Sequence, residues 1–96
     1  MKRAIDKLRK LVREERYQVS VHANEEISND ELAAIDLENV VLTGKITKRF
    51  TKDARGTRYE VTGQALDGRP VAVICRILGN NWLRIVTVFA LENDEP

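Results

Sequence analysis

A chain of 96 residues that is 43% hydrophobic and 32% charged has the composition of a folded globular protein, and its length supplies one modest core, so a single domain over residues 1–96 is expected. No apolar run approaches the ~18–20 residues of a membrane span. Met1-Lys2-Arg3 leads into an amphipathic stretch, unlike a secretory signal, so a soluble cytoplasmic protein is expected. One cysteine, Cys75, and one histidine, His22, leave neither an internal disulfide nor a Cys/His metal cluster, and no metal or cofactor is expected.

The formal net charge of +1 conceals a strong segregation. Residues 1–22 hold seven Lys/Arg against three acids, and residues 23–42 hold six acids and no base. Residues 43–90 hold nine Lys/Arg against three acids, a local charge of +6. A whole-chain balance near neutrality argues against a polyanionic partner, but the local field of that last segment suits one.

In chain order, Ile5, Leu8, Leu11 and Val12 recur at helical spacing, which predicts an amphipathic helix from Ala4 to Arg16. Tyr17 to His22 alternates and reads as a short strand. Ser28 and Glu31 stand three apart as a capping box, opening a helical turn through Leu32, Ala33 and Ile35. Asp36 is placed to cap a second short helix carrying Leu37, Val40 and Val41, which Gly44 ends. From Lys45 the period becomes two, with strands near 45–52, 57–66, 69–78 and 82–91. Asp67-Gly68 is a strong hairpin signal, Gly79-Asn80-Asn81 a second tight turn, and Asp53-Ala54-Arg55-Gly56 a looser one. The expected architecture is α+β: a helical N-terminal half, then a four-strand antiparallel meander, with the Tyr17 strand joining as a short extra edge strand.

Turn length sets the register. A two-residue turn at Asp67-Gly68 pairs Leu66 with Arg69 and therefore Tyr59 with Arg76, and a three-residue turn at 79–81 pairs Arg76 with Arg84. Tyr59, Arg76 and Arg84 then form a row on one face. Facing guanidiniums repel, so either a polyanion lies between them or they splay apart at a solvated end of the sheet. The opposite face would carry Val71, Val73, Cys75, Ile77, Leu83, Ile85 and Phe89 towards the helices, together with Arg58, Glu60, Thr62 and Gln64. Trp82 either stacks on a base beside the row or simply packs. His22 is the one side chain whose ordinary pKa suits proton transfer near neutrality, in a catalytic or a structural role.

The run from Tyr17 to Leu91 resembles the small bacterial family known as domain of unknown function 4258. The resemblance is carried by Ser20-Val21-His22-Ala23, Leu42-Thr43-Gly44, Asp67-Gly68-Arg69-Pro70-Val71 and Leu83-Arg84-Ile85-Val86-Thr87-Val88-Phe89. The layout is also similar to RelE-like folds and to MqsR-like toxins, through Asn39-Val40-Val41-Leu42-Thr43-Gly44 and Thr57-Arg58-Tyr59-Glu60-Val61. That likeness implies the toxin of a bacterial toxin–antitoxin pair, a metal-independent endoribonuclease acting on messenger RNA, free or ribosome-bound. It implies as partner an antitoxin of the YgiT-type zinc-finger class. Lys48 and Tyr59 match working positions, with Arg76, Arg84 and His22 completing the candidate chemistry and Arg49, Lys52, Arg55, Arg58 and Trp82 the candidate RNA contacts. Two further working positions fall near Ala72 and Ala90. The family usually has a histidine where Ala72 stands, and alanine moves no proton. The alternative is a catalytically inactive RNA- or protein-binding module that keeps the scaffold.

Overall fold

The structure, a computed structural model, describes residues 3–91. Helix α1, Ala4–Arg13, buries Leu8, Leu11 and Val12 from its apolar stripe, and the Arg3 amide at its start donates to Asp6 Oδ2 at 3.3 Å. It ends three residues short of the expected Arg16, and Glu15 then takes a left-handed φ of 56°. Strand β1 is only Tyr17–Val19. The expected strand stops there because Ser20 caps a helix: its Oγ accepts from the Ala23 amide at 3.0 Å and opens α2, Val21–Asn29. His22 therefore lies in the first turn of a helix, not at a strand end. Ser28 sits in the last turn of α2, so the capping box expected at Ser28–Glu31 opens nothing. Helix α3, Ala34–Thr43, starts two residues before Asp36, whose Oδ2 accepts from the Ala33 amide at 2.8 Å, and Gly44 ends it as expected.

Strands β2 (Lys45–Phe50), β3 (Arg58–Gln64), β4 (Pro70–Ile77) and β5 (Leu83–Ala90) pair antiparallel in sequence order. Strand β1 joins the β5 edge in parallel, Tyr17 beside Leu83 and Val19 beside Ile85. The sheet order is β1-β5-β4-β3-β2, a five-strand mixed sheet in an α+β fold. The three helices share one face of it, with α3 over β3 and β4, α2 over β5, and α1 against α3 and β5. One core joins them, built from Leu8, Leu37, Val40, Val61, Val73, Cys75, Leu83, Ile85 and Val88 among others. No helix among the described residues is long and apolar enough to cross a membrane.

Two features hold helices and sheet in place. Beyond Val19 the outer edge of β5 has no strand partner among the described residues, and α2 and its two cap residues supply partners from side chains. Ser20 Oγ donates to the Val86 carbonyl at 3.0 Å, the Val88 amide donates to Glu26 Oε1 at 3.0 Å, and the Ala90 amide donates to Asp30 Oδ2 at 3.3 Å. An edge that would otherwise template association is thereby closed. Two arginines also cap helix ends. Arg9 donates to the carbonyls of Val41 in the last turn of α3 and Gly44 at its end, and Arg69 to those of Asp30 (2.7 Å) and Glu31 (3.0 Å) after α2. The Gly68-Arg69-Pro70 motif is thus a docking device between a hairpin and a helix.

Candidate functional site

The β3–β4 turn holds three residues, not two. The Ala65 amide donates to the Arg69 carbonyl at 2.9 Å, the Gly68 amide to the Ala65 carbonyl at 2.9 Å, and Gly68 takes a φ of 91°. A turn followed by a left-handed glycine is a standard three-residue hairpin loop. It pairs Gln64 with Pro70, and hence Arg58 with Arg76 and Tyr59 with Cys75. This one-residue slip reverses every side chain of β3. Tyr59 faces the helices with Val61, under the Arg49 guanidinium (Cζ 5.9 Å from the ring centroid), and is no neighbour of the arginine row. Arg58, Glu60, Thr62 and Gln64 move to the face that carries no helices.

The second turn follows the expected register, with the Leu78 amide donating to the Trp82 carbonyl at 2.7 Å and Arg76 opposite Arg84. Further along, β5 has an irregularity: Cys75 pairs with Ile85 but Ile74 with Thr87. Val88 therefore enters the core, and Phe89, expected there, lies on the open face opposite Ala72.

The result is a row of three arginines, Arg58, Arg76 and Arg84, directly opposite one another across β3, β4 and β5 on the open face. Loop 51–57 folds onto it. Asp53 Oδ2 lies 3.1 Å from Arg58 Nε and 3.9 Å from Arg76 Nη1. The first contact is an ion-pair separation without hydrogen-bond geometry, so the buried Arg58 Nε–H has no acceptor among the described residues. Asp53 Oδ1 accepts from the Arg55 amide at 2.9 Å. That amide, then the charges of Arg58, Arg76 and Arg55, hold the Asp53 carboxyl below the usual carboxylate range against the effect of burial. Arg58 also stacks 5.1 Å from the Phe50 ring centroid. The Arg76 side chain is only 12% exposed, and Arg84 Nη1 makes a long 3.4 Å hydrogen bond to Gln18 Oε1. Beside the row, a recess of ≈ 440 Å³ is lined by Arg49, Phe50, Thr51, Lys52, Asp53 and Arg58.

Lys48 stands opposite Glu60 on the same open face. Glu60 Oε1 accepts from Thr47 Oγ1 at 2.8 Å. Lys52 and Arg55 are exposed on loop 51–57, and Trp82 is half exposed two residues before Arg84. His22 is not brought to the row: it lies on α2, 67% exposed, with Nε2 3.3 Å from Glu26 Oε1. Ala72 shares the row's face but is 1% exposed, while Ala90 pairs with Val71 towards the helices, so the two alanines do not share a site. Sequence reasoning missed Asp53, Glu60 and Phe50. The Asp53-Ala54-Arg55 turn signal located the loop but not the surface it covers. Among the described residues no three His, Cys, Asp or Glu side chains stand together as a metal-binding set.

An α+β domain with its helices on one sheet face and an arginine row on the other is the class that these observations define. Domain of unknown function DUF4258 matches residues 19–90, from the end of β1 to the end of β5, and the chain belongs to that family. No curated protein and no solved structure matches the chain.

Proposed function

We propose that the chain binds RNA through the open face of its sheet, in the cytoplasm, on a RelE-like scaffold that has kept phosphate-holding cations and lost its proton carriers. The observation that carries this reading is the alignment of Arg58, Arg76 and Arg84 across three adjacent strands, where among the described residues Asp53 is the carboxylate within ion-pair distance of Arg58 and Arg76. Like charges set directly opposite one another destabilise a sheet, and an anion laid along them reverses that cost. Phe50, Phe89 and Trp82 add aromatic surface on which unpaired bases stack. The sequential antiparallel pairing of β2 to β5, with helices on one face, supports the RelE-like assignment.

The RNA-cleaving toxin, neutralised by a YgiT-type antitoxin, is the second reading, and Glu60 favours it. This carboxylate lies two residues from Arg58 on the same face, opposite Lys48, where it can take the proton of an attacking 2′-hydroxyl while the arginines steady the phosphate. Tyr59 and His22 play no part in that scheme, since both lie off the row's face.

Titration of a short single-stranded oligoribonucleotide tests the proposal. Phosphate contacts make affinity fall steeply between low and physiological salt, and absence of binding at low salt removes the RNA reading. Incubation of the same RNA separates the two versions: cleavage abolished by Glu60→Gln selects the ribonuclease, and intact RNA selects the binding module.

A further inference from the structure

Asp53 occupies the space between Arg58 and Arg76 but fits it poorly. Its Oδ1 is committed to the Arg55 amide at 2.9 Å, which leaves Oδ2 to serve two guanidiniums alone. One of these contacts lacks hydrogen-bond geometry and the other, at 3.9 Å, exceeds hydrogen-bond distance. The Arg58 Nε–H is consequently buried with no acceptor among the described residues, an arrangement that native proteins rarely leave uncorrected. Two planar donors flanking one carboxylate oxygen are better matched by a group offering two or more free oxygens, and a phosphate of an RNA chain is such a group.

We infer that the Arg58–Arg76 pair is the seat of one RNA phosphate and that Asp53 is an intramolecular competitor for it. Resting on the RNA-binding reading above, this adds an exchange to it: the incoming phosphate takes both guanidiniums, and Asp53 withdraws with loop 51–57. The loop is suited to withdrawal because it belongs to neither β2 nor β3, and its other charged residues, Lys52 and Arg55, are exposed. Among the described contacts, Asp53 meets the row only through Arg58 and Arg76. The exchange conserves charge at the seat, one anion for another, so its direction is set by fit and by the further phosphates that the surrounding cations hold.

The test is Asp53→Asn, which keeps a side-chain oxygen for the Arg55 amide, and with it the turn, while removing the competing charge. Asp67→Asn is a matched control. Asp67 Oδ1 accepts from the Arg69 amide at 3.0 Å in the same kind of turn, in the β3–β4 loop rather than on the row. With a short oligouridylate at fixed low salt, Asp53→Asn is expected to tighten binding roughly three- to fivefold, the scale of releasing a partly exposed ion pair. Asp67→Asn should change it less than about twofold, being screened. In an Arg76→Ala background, Asp53→Asn should lose most of its gain. If Asp53→Asn binds no tighter than the wild type, or Asp67→Asn tightens binding equally, the competitor role is overturned while RNA binding stands. If neither wild type nor Asp53→Asn binds at low salt, both readings fall.

Discussion

Replacing Gly44 with alanine would set a methyl carbon 2.4 Å from two backbone oxygens at once, those of Thr62 and Val40. The backbone angles are not the obstacle, because φ −84° and ψ −161° are open to any residue. Space is. The last turn of α3 lies directly on β3, and across the contact a Cβ on Gly63 would stand 3.0 Å from the Val40 carbonyl oxygen and 3.1 Å from Gly44 Cα. Neither wall is a flexible side chain, so the helix must lift from the sheet, loosening Val40 and Val41 from the core. Overpacking of this kind costs up to ~3 kcal/mol, offset by ~0.4–1 kcal/mol from the stiffer unfolded chain. A net loss of about 2 kcal/mol in a domain of this size lowers Tm by about 8–16 °C. Gly79, with nothing within 4 Å of its added Cβ, is the comparison, and Gly79→Ala should be neutral or stabilise by up to ~1 kcal/mol. Melting followed by circular dichroism on the three proteins reads both effects. A Gly44→Ala protein melting within a few degrees of the wild type would refute the close approach of α3 and β3.

Ala72→His tests whether a proton carrier can be restored beside the row. At 1% exposure between Thr62 and Phe89 there is no room for the ring, so the variant should lose ~1–3 kcal/mol in chemical denaturation and gain no cleavage. An unchanged stability would show that the position opens to solvent. Tyr17 gives a pH dependence: burial, and then its hydrogen bond to Glu38, push its hydroxyl from 10.0 to about 12. The neutral phenol is thus favoured by folding, so this stability is fully present below pH 10, where both states keep the proton, and is lost as pH rises from 10 to about 12. Denaturant unfolding across that window should show a decline in the wild type that Tyr17→Phe lacks, and equal declines in the two would contradict it.

The strands were legible because period-two alternation and turn residues are local signals. So was the end of α3, since Gly44 is both a stop signal and the only residue that fits. Helix α2 was not. Tyr17, Val19 and Val21 alternate through its start, and its cap, Ser20 on the Ala23 amide, lacks the acidic partner that marks a capping box. The register error at Asp67-Gly68 is more instructive. Asp-Gly serves two- and three-residue loops alike, and what selects the longer one is tertiary: Arg69 is anchored to the carbonyls after α2. The strand itself held a better guide, because Tyr59, Val61, Gly63 and Ala65 alternate with Arg58, Glu60, Thr62 and Gln64. That pattern places Tyr59 with the core and Arg58 with the row, and binary pattern outranks an assumed turn length. The fold of loop 51–57 onto the arginines depends on contacts distant in sequence, so Asp53 carried no local mark of its position.

The measurement that bears most directly on the arginine row is a salt titration of oligouridylate binding to the wild type and to the Arg76→Ala/Arg84→Ala double variant. For single-stranded nucleic acid the slope of log affinity against log salt is about −0.7 per neutralised phosphate. The double variant should therefore bind more weakly at low salt, with a slope shallower by about 0.7 if Arg58 keeps the shared phosphate and by about 1.4 if that phosphate is lost too. Equal affinity and equal slope in the two proteins would mean that RNA does not lie on this face.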